Sequence, residues 1–542
     1  MNVRVLLEKA WRSLNDARGY SMSAALALIA ALLRIPNLNR PREFVFDETY
    51  YAKDAFSLLK FGYERVFMDN ANALLISGDT KVFDAGGEYV VHPPLGKWAI
   101  ALGEAVFGMN PFGWRIVMAL FGVLAVVLVH RIMLRLTSNP ATAALAGLFM
   151  AIDGLAIVMS RTALLDQSLM FFVLLTFWAI VHDRDYYRHS LALGEYLDRV
   201  PRMRSLRPWR LAAIAFITAA FATKWSALWM AIGFAFLMIW WDARARRDYG
   251  VARTPWLTDL AWLLTAGVLG TVGYVATWIG WLRSDDAWGR AATDGPSWLP
   301  QALGALVKYH QSALNFHTHL TTDHPYKAAP YWWPLMLRPT SFSYNTYDAG
   351  KGSCVSDANC SSEILALGNI VLWWLACLVI LAIVVSALLR LGQVVVEIRG
   401  HRFGFAQPAR IESDVVVGPL VGFAAGWLPW IYFHNRTTFT FYSIVFAPFM
   451  FMLLAYGLTL FATRRVIEEQ VMMVEDADDP SLHTEVTVIT REFDELHEKR
   501  FLFAALLVAL AIGVTIYFLP IWTGSVMTYA AWHARMWLPS WI

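Results

Sequence analysis

The sequence is poor in charged residues. Asp, Glu, Lys and Arg make up only 16% of its 542 residues, whereas 57% are hydrophobic, and the mean hydropathy is +0.45. Soluble domains carry about 25% charged residues, so the composition excludes an ordinary soluble protein and indicates an integral membrane protein. The net charge is only +3 and the basic residues form no stripe, which leaves nucleic-acid binding without support.

Other absences narrow the function further. The chain has no Gly-rich loop of the nucleotide-binding kind, so a soluble nucleotide donor is not expected. Residues 1–20 are polar, and the first apolar run is followed by Arg34-Ile35-Pro36-Asn37 rather than by a small-residue cleavage site. We therefore expect that run to be kept as a membrane anchor. Neither an internal repeat nor a low-complexity linker is evident.

Cysteine is scarce, with three residues in the whole chain. Cys377 lies in an apolar run, where a core residue is the simplest interpretation. Cys354 and Cys360 share a loop rich in Gly, Ser, Asp and Asn. A local disulfide is expected if that loop lies outside the cell.

Apolar runs of about 17–25 residues, the length that a helix needs to cross a bilayer, are abundant. We predict an all-α polytopic membrane protein with eleven spans, at residues 21–38, 113–134, 140–158, 163–181, 209–223, 225–241, 257–282, 364–390, 414–433, 438–462 and 501–520. The pair at 209–241 is open to a second interpretation, as one long segment broken at 223–225. The shorter run 95–107 is expected at the membrane interface.

Orientation is predicted from the positive residues, which accumulate in cytoplasmic loops. The connection 183–210 holds seven Arg against four acids, so it is predicted to be cytoplasmic. Eleven spans place the other Arg-rich connections on the same side, with the N-terminus in the cytoplasm and the C-terminus outside. The predicted segments are a cytoplasmic N-terminal segment 1–20, a transmembrane core 21–462, an acidic and partly helical cytoplasmic loop 463–500, and a last span with its tail, 501–542.

Two predicted outside loops, residues 39–112 and 283–363, are long, and loops of this length usually carry function. The first contains the pair Asp47-Glu48 and a run that begins at His92, with amphipathic helices predicted at 50–60 and 98–107. The second contains four histidines and an aromatic block with Trp333 and Arg338. The histidines, which are His310, His317, His319 and His324, lack a compact ligand spacing with acidic partners, so no metal site is predicted.

The predicted topology brings a set of ionisable residues to one outer face. The set is Asp47, Arg115, Arg161, Asp166, Lys224 and Arg436. Simpler interpretations exist: an Asp-Glu pair is often a solvated turn, a basic residue at a helix end often extends to the headgroups, and Asp166 could merely neutralise Arg161. Together, however, the cations would neutralise a lipid phosphate while a carboxylate accepts a proton from a hydroxyl. The donor is therefore expected to come from the bilayer.

Six motifs follow one another along nearly the whole chain. They are FDETYY (46–51), HPPLGKW (92–98), WRIVMALFG (114–122), SRTALLDQSLMFF (160–172), TKWSALW (223–229) and DHPYKAAPYWWPLMLRP (323–339). The chain resembles the protein O-mannosyltransferases that use dolichyl- or polyprenyl-phosphate-mannose, within the membrane-embedded GT-C glycosyltransferases. It is most similar to the shorter actinobacterial members.

The resemblance implies an inverting transfer of mannose from polyprenyl-phosphate-mannose to Ser or Thr hydroxyls of secreted proteins, at the outer face of the cell membrane. Asp47 matches the family's acidic catalytic residue, here the base for the acceptor hydroxyl, with Glu48 beside it as a second site residue. The residues expected to bind the donor phosphate are Arg115, Lys224, Arg161 and Arg436. The supporting residues are Asp166, His92, Trp333 and Arg338. No cofactor is expected beyond the lipid substrate, and a divalent metal is neither required nor ruled out by the sequence.

The chain departs from the family at one place. The loop 283–363 is too short for the β-trefoil insertion of eukaryotic members, which also puts their obligate pairing of paralogues in doubt. The expected partners are the lipid-linked donor and unfolded secreted proteins, for which the secretory translocon is a reasonable source. Two other hypotheses stay open: a related GT-C transferase that moves another lipid-linked sugar to a glycan or lipid, and a lipid or solute transporter, which predicts polar groups at mid-membrane.

Overall fold

A computed structural model of the protein describes residues 19–193, 207–251, 256–398, 413–475 and 483–542. Most of the predicted segment 1–20 and a stretch of the predicted connection 183–210 lie outside these residues. The described chain is mainly helical, as the apolar runs predict, but its residues also form seven strands, so the predicted all-α class is confirmed only in part.

The N-terminal half of the chain combines long apolar helices with a small region of short helices and strands. In chain order it contains α1 (Tyr20–Arg34), α2 (Glu48–Phe61), β1 (Arg65–Phe67), α3 (Ala71–Ser77), β2 (Phe83–Gly87), α4 (Leu95–Phe107), α5 (Pro111–Thr137), α6 (Pro140–Ile152), α7 (Gly154–Ser160) and α8 (Leu165–Ala192). Asn110 and Asn139 begin α5 and α6, because each side chain accepts two backbone N–H groups of the first turn and a proline follows at the first helical position. Helices α2 and α4 confirm the helices predicted at 50–60 and 98–107.

The rest of the chain alternates long helices with two hairpins. In order it contains α9 (Pro208–Phe221), α10 (Ala227–Asp248), α11 (Trp256–Thr277), α12 (Ile279–Arg283), α13 (Gln301–His319), a 3-10 helix (Pro330–Leu335), β3 (Thr340–Tyr347), β4 (Cys360–Ala366), α14 (Ile370–Ile398), α15 (Ser413–Tyr432), a 3-10 helix (Thr440–Val445), α16 (Ala447–Ala462), β5 (Thr463–Glu475), β6 (His483–Leu496), α17 (Glu498–Thr523), β7 (Met527–Thr528), α18 (Tyr529–His533) and a 3-10 helix (Pro539–Trp541).

Each of the eleven predicted spans contains a helix. Seven helices of the described chain are long and apolar enough to cross a bilayer, and α6 with α7 makes an eighth if this pair, bent by 60°, is one span. The remaining three, α1, α9 and α16, are shorter apolar helices. The count of eleven spans stays a prediction.

One predicted segment is wrong in its secondary structure. The acidic composition of residues 463–500 predicts a partly helical loop, but β5 and β6 pair as one antiparallel hairpin from Thr463 opposite Leu496 to Glu475 opposite His483. The physical reason is visible in residues 484–489, where Thr and Val or Ile recur, because β-branched residues favour strands. The acidic content alone suggests a solvated helix.

Two clusters of ion pairs tie the same helices together at their two ends. Arg207 and Arg210, at the start of α9, donate to the carboxylates of Asp183 in α8 and Asp242 in α10, and all four side chains are buried. Asp166 lies seventeen residues before Asp183 in α8, about 25 Å along the helix. Helix α9 therefore runs antiparallel to α8. The turn that follows α9 places Lys224 beside Asp166.

Candidate active site

Glu48 is held at the start of α2 by four hydrogen bonds. Its Oε1 accepts from Arg115 Nε at 2.7 Å and from the Ala163 amide at 2.9 Å, and its Oε2 accepts from Arg115 Nη2 at 2.7 Å and from the Val45 amide at 2.9 Å. The Glu48 side chain is fully buried. Both of its oxygens are thus occupied by donors of the protein, which leaves this carboxylate no place to act on a substrate. The simpler interpretation of a solvated turn is wrong for Glu48.

Arg115 binds the loop before α2 with all five of its N–H groups. Besides Glu48, it donates to the backbone carbonyls of Leu38, Pro41 and Glu43 at 3.2, 2.8 and 3.0 Å. No N–H of this buried guanidinium remains for a phosphate. The structure therefore does not support the prediction that Arg115 binds the donor phosphate.

Arg161 has a similar role nearer the end of α1. Its Nη1 donates to the carbonyls of Arg34 and Pro36 at 2.8 Å each, and its Nη2 donates to that of Asn37 at 3.3 Å. Arg161 and Arg115 together fix the chain between the end of α1 and the start of α2. Arg161 thus lies near Arg115 with its guanidinium bound to backbone carbonyls, and Asp166 pairs with Lys224 instead.

Asp47, the residue before Glu48, is half-buried and precedes the first turn of α2. Burial raises the pKa of its carboxyl to about 6; Lys224 opposes this rise, Asp166 adds to it, and the Tyr51 hydroxyl favours the charged form. Phe46 has a φ of 51° and stacks on Phe342 at 4.8 Å. This backbone conformation is rare for a bulky residue and sets the direction in which Asp47 leaves the loop. The result is a carboxylate suited to accept a proton near neutral pH.

Lys224 lies between α9 and α10 and forms a buried ion pair with Asp166 of α8. Its Nζ is 2.9 and 2.8 Å from the two carboxylate oxygens and 4.3 Å from the centre of the Tyr442 ring. Asp166 therefore pairs with Lys224, and the alternative pairing with Arg161 is wrong. The positive charge of Lys224 also acts on the Asp47 carboxyl.

Arg436 is held beside this pair by a histidine that sequence reasoning did not assign to the site. Its Nη2 is 3.3 Å from His317 Nδ1, and His317 Nε2 is 2.9 Å from the Val91 carbonyl. Since only a protonated Nε2 can donate to that carbonyl, Nδ1 accepts from Arg436. Burial lowers the pKa of His317 to about 4, so the imidazole stays neutral. The ring of His317 also stacks on that of His92 at 5.1 Å.

His92 adds a polar group to this corner of the site. Burial, followed by the charge of Lys224, holds the pKa of its imidazole well below the usual value. Within the described residues, His92 Nδ1 and Arg436 Nε are buried without a hydrogen-bond partner. A buried polar atom without a partner is unfavourable unless a ligand satisfies it. These two atoms are therefore available to an anionic or polar ligand at this corner of the site.

The aromatic block of the second loop lies beside the site rather than in it. Trp333 is fully buried, donates to the Ala328 carbonyl at 3.1 Å and packs against Tyr442. Arg338 donates to the carbonyls of Ser540, Ile542 and Pro325. Trp333 thus supports the wall formed by Tyr442, whereas Arg338 binds backbone and is not brought to Asp47.

The predicted disulfide is present, because Cys354 and Cys360 are joined at 2.00 Å in the connection from β3 to β4. Cys377, which was expected to be a core residue, is only half-buried. Among the described residues, no group of three or more His, Cys, Asp or Glu side chains could hold a metal ion. That the protein does not require a metal stays a prediction.

Comparison with known proteins identifies the chain's relatives. The family model for dolichyl-phosphate-mannose-protein mannosyltransferase matches residues 24–289, and that for the C-terminal four-transmembrane region of protein O-mannosyltransferase matches residues 302–541. A polyprenol-phosphate-mannose–protein mannosyltransferase of Mycobacterium tuberculosis is 31% identical over 97% of this chain and 93% of its own length. The chain belongs to the protein O-mannosyltransferase family. The polyprenol-phosphate-mannose–protein mannosyltransferase of Mycolicibacterium smegmatis is 30% identical to the present chain, over 97% of the present chain and 94% of its own length.

The fold of the mannosyltransferase also has a solved counterpart. The protein O-mannosyltransferase complex of S. cerevisiae bound to the sugar donor matches with a TM-score of 0.62 at 14% identity, over 96% of this chain and 92% of that chain. This likeness shows that the chain shares the fold of that solved protein. Family and fold together establish an integral membrane mannosyltransferase.

Proposed function

We propose that this enzyme transfers mannose from a polyprenyl-phosphate-mannose donor to Ser or Thr hydroxyls of secreted proteins at the outer face of the membrane, with inversion at the sugar. The near-full-length likeness to the mycobacterial enzymes supports the reaction class. The observation that carries the assignment to this site is that Asp47, with a pKa of about 6, shares one environment with Lys224.

The proposed chemistry uses one carboxylate and two cations. Asp47 accepts the proton of the acceptor hydroxyl while the hydroxyl oxygen forms a bond to the anomeric carbon of mannose. The bond from that carbon to the phosphate oxygen breaks, and its electron pair stays on the phosphate. Lys224 and Arg436 stabilise the negative charge that develops on the leaving phosphate, and His92 Nδ1 is available to the same ligand.

Arg115, Arg161 and Glu48 are positioning residues in this proposal. They hold the loop 34–48 through carbonyl groups and one carboxylate, so that Asp47 keeps a fixed direction. A fixed base is favourable because little reorganisation is needed in the transition state.

The polyprenyl tail is proposed to lie between α9 and α11. A cavity of about 260 Å³ there has a predominantly apolar lining that includes Leu95, Leu211, Ile214 and Leu269. Leu95 follows His92 by three residues, so the cavity begins near the proposed phosphate site. An isoprenoid chain fits such a lining because burying its apolar surface is favourable.

Several finer features of this enzyme belong to the same proposal. The chain crosses the membrane eleven times, with the N-terminus in the cytoplasm and the C-terminus outside, and the segments 1–20, 21–462, 463–500 and 501–542 follow from that topology. Arg-rich connections on one side support it. The acceptors are unfolded secreted proteins, supplied by the secretory translocon, and catalysis uses no metal.

The test of the proposed function is a product assay. The purified full-length enzyme is incubated with polyprenyl-phosphate-mannose and a Ser/Thr-rich peptide, and the product mass is measured. A mass gain of one hexose on the peptide, absent with a peptide in which every Ser and Thr is replaced by Ala, is expected. A hexose found only on a lipid or glycan acceptor would instead favour the related GT-C transferase.

A further inference from the structure

A polar cavity of about 750 Å³ lies beside the loop that leads to Asp47. Its walls are residues 36–43, the strands β3 and β4, and the ends of α1 and α17. We call it the β3 cavity. Neither Trp333 nor Arg338, which the sequence suggested as supporting residues, lines it.

Strand β3 connects this cavity to the reaction site. Phe342 stacks on Phe46, the residue before Asp47, at 4.8 Å. Ser343 and Asn345, which follow along the strand, line the β3 cavity. The same strand thus contacts the Asp47 loop through Phe342 and lines the cavity beyond it.

The cavity is close enough to serve Asp47. Glu43 lines the cavity and is four residues from Asp47, so the two α-carbons are at most about 14 Å apart. An extended polypeptide of five residues spans about 17 Å. Asp47 therefore lies within the length of a short extended peptide from the wall of the cavity.

The lining indicates what kind of molecule binds. Hydroxyl and amide groups predominate among its polar members, including Asn37, Ser343, Asn345 and Ser362. Such groups both donate and accept hydrogen bonds, which matches a polypeptide backbone with its N–H and C=O groups. The charged lining consists of three arginines, Arg40, Arg42 and Arg161, and two carboxylates, Glu43 and Glu363. The guanidinium N–H groups of Arg161 already bond to backbone carbonyls, and the two carboxylates disfavour a phosphate headgroup. The proposed lipid-tail cavity lies elsewhere, between α9 and α11.

We propose that the β3 cavity binds the acceptor polypeptide in an extended conformation and delivers its Ser or Thr hydroxyl to Asp47. This inference rests on the proposed function, since it names the binding site of that reaction's acceptor. The donor and the acceptor then approach Asp47 from separate cavities, and neither must leave for the other to enter.

The experiment measures acceptor binding apart from transfer. Full-length enzyme in detergent is titrated against a fluorescein-labelled Ser/Thr-rich peptide, without donor, and binding is followed by anisotropy. Asn345→Trp places a bulky ring in the cavity beside strand β3, whereas Thr346→Trp places the same ring at the next residue of β3, which is also exposed and does not line the cavity. Asn345→Trp is expected to raise the Kd of the peptide about tenfold or more, a loss of at least about 1.4 kcal/mol. Thr346→Trp should leave the Kd unchanged within about twofold.

The outcomes separate this inference from the proposed function. Equal peptide affinity in wild type and Asn345→Trp overturns the cavity assignment while the product assay on wild type still stands. Displacement of bound peptide from wild type by short-chain phosphatidylglycerol, with lipid binding also lost in Asn345→Trp, assigns the cavity to a lipid headgroup and overturns the inference. Absence of both peptide binding and hexose transfer in wild type contradicts the proposed function and the inference with it. In steady-state assays, Asn345→Trp should raise the KM for peptide and leave the KM for the lipid donor unchanged.

Discussion

Arg115 and Glu48 form a bidentate pair, in which Nε and Nη2 of the arginine each lie 2.7 Å from one carboxylate oxygen, and both side chains are almost completely buried. The arginine uses its other three N–H groups on backbone carbonyls of residues 38–43. This pair holds the loop that carries Asp47, so an effect of Arg115 on catalysis should come through structure.

The first prediction is that Arg115→Ala destabilises the protein. Removing one partner of a buried ion pair leaves the other charge without compensation, which typically costs about 3–5 kcal/mol. Unfolding in detergent, followed by Trp fluorescence, measures it. Arg135→Ala is the control, because Arg135 forms a more exposed pair with Asp185 and should lose at most about 1 kcal/mol. A fully stable Arg115→Ala variant with a raised KM for the lipid donor would return Arg115 to the phosphate site.

The second prediction concerns Lys224. Lys224→Gln should raise the KM for polyprenyl-phosphate-mannose about tenfold to a hundredfold, because a hydrogen bond to a charged group contributes about 1.5–3 kcal/mol. The KM for the peptide should not change. Lys308→Gln, which breaks a more exposed pair with Asp294 in the second loop, is the matched control. An unaltered dependence on donor concentration in Lys224→Gln would remove Lys224 from the donor site.

The third prediction concerns His317 as a positioning residue. His317→Ala should lower kcat/KM for the donor about tenfold or more, because Arg436 loses its neutral acceptor. His317→Gln should recover most of the activity, since an amide can also accept from Arg436 and donate to the Val91 carbonyl. His319→Ala is the control, as His319 is exposed two residues further along α13. Equal losses in the Ala and Gln variants would contradict this role.

The fourth prediction is a pH dependence set by Asp47. The base must be ionised, and burial raises its pKa to about 6, so kcat/KM should rise with pH through about 6 and then level off. The positive charge of Lys224 lowers this pKa, and the negative charge of Asp166 raises it. Removing the cation in Lys224→Gln should therefore move the rise to higher pH, and removing the carboxylate in Asp166→Asn should move it to lower pH. An unmoved profile in both variants would assign the titration to another group.

The sequence predicts much of the fold. Each of the eleven apolar runs contains a helix, because helix length and hydropathy in a bilayer are set by local composition. The hairpin of residues 463–496 is missed because its acidic residues suggest a solvated helix, although β-branched residues recur in residues 484–489. Each strand forms by pairing with a strand elsewhere in the sequence, and composition alone does not predict such pairing.

The candidate site is predicted incompletely. Topology brings Asp47, Asp166 and Lys224 to one face, and the structure places these three together. Topology does not distinguish the role of Lys224 at the donor site from the role of Arg115 in holding the loop. The sequence shows at which end of a helix an arginine lies, but not which carbonyl groups its side chain contacts. Tyr51 could have been found, because it lies four residues after Asp47 and shares its face of α2. His317 has no such signal, since its partners Val91 and Arg436 are distant in sequence.

The most direct test of the proposed mechanism is the initial rate of mannose transfer by Asp47→Asn. General-base catalysis contributes about a hundredfold to ten-thousandfold in rate, so transfer to the peptide should fall by at least about a hundredfold. Because ionising a buried carboxyl with a raised pKa is unfavourable to the fold above that pKa, the variant should be as stable as wild type, or more stable, at pH 7. A stable Asp47→Asn variant that transfers mannose at a near-normal rate would contradict the assignment of Asp47 as the base.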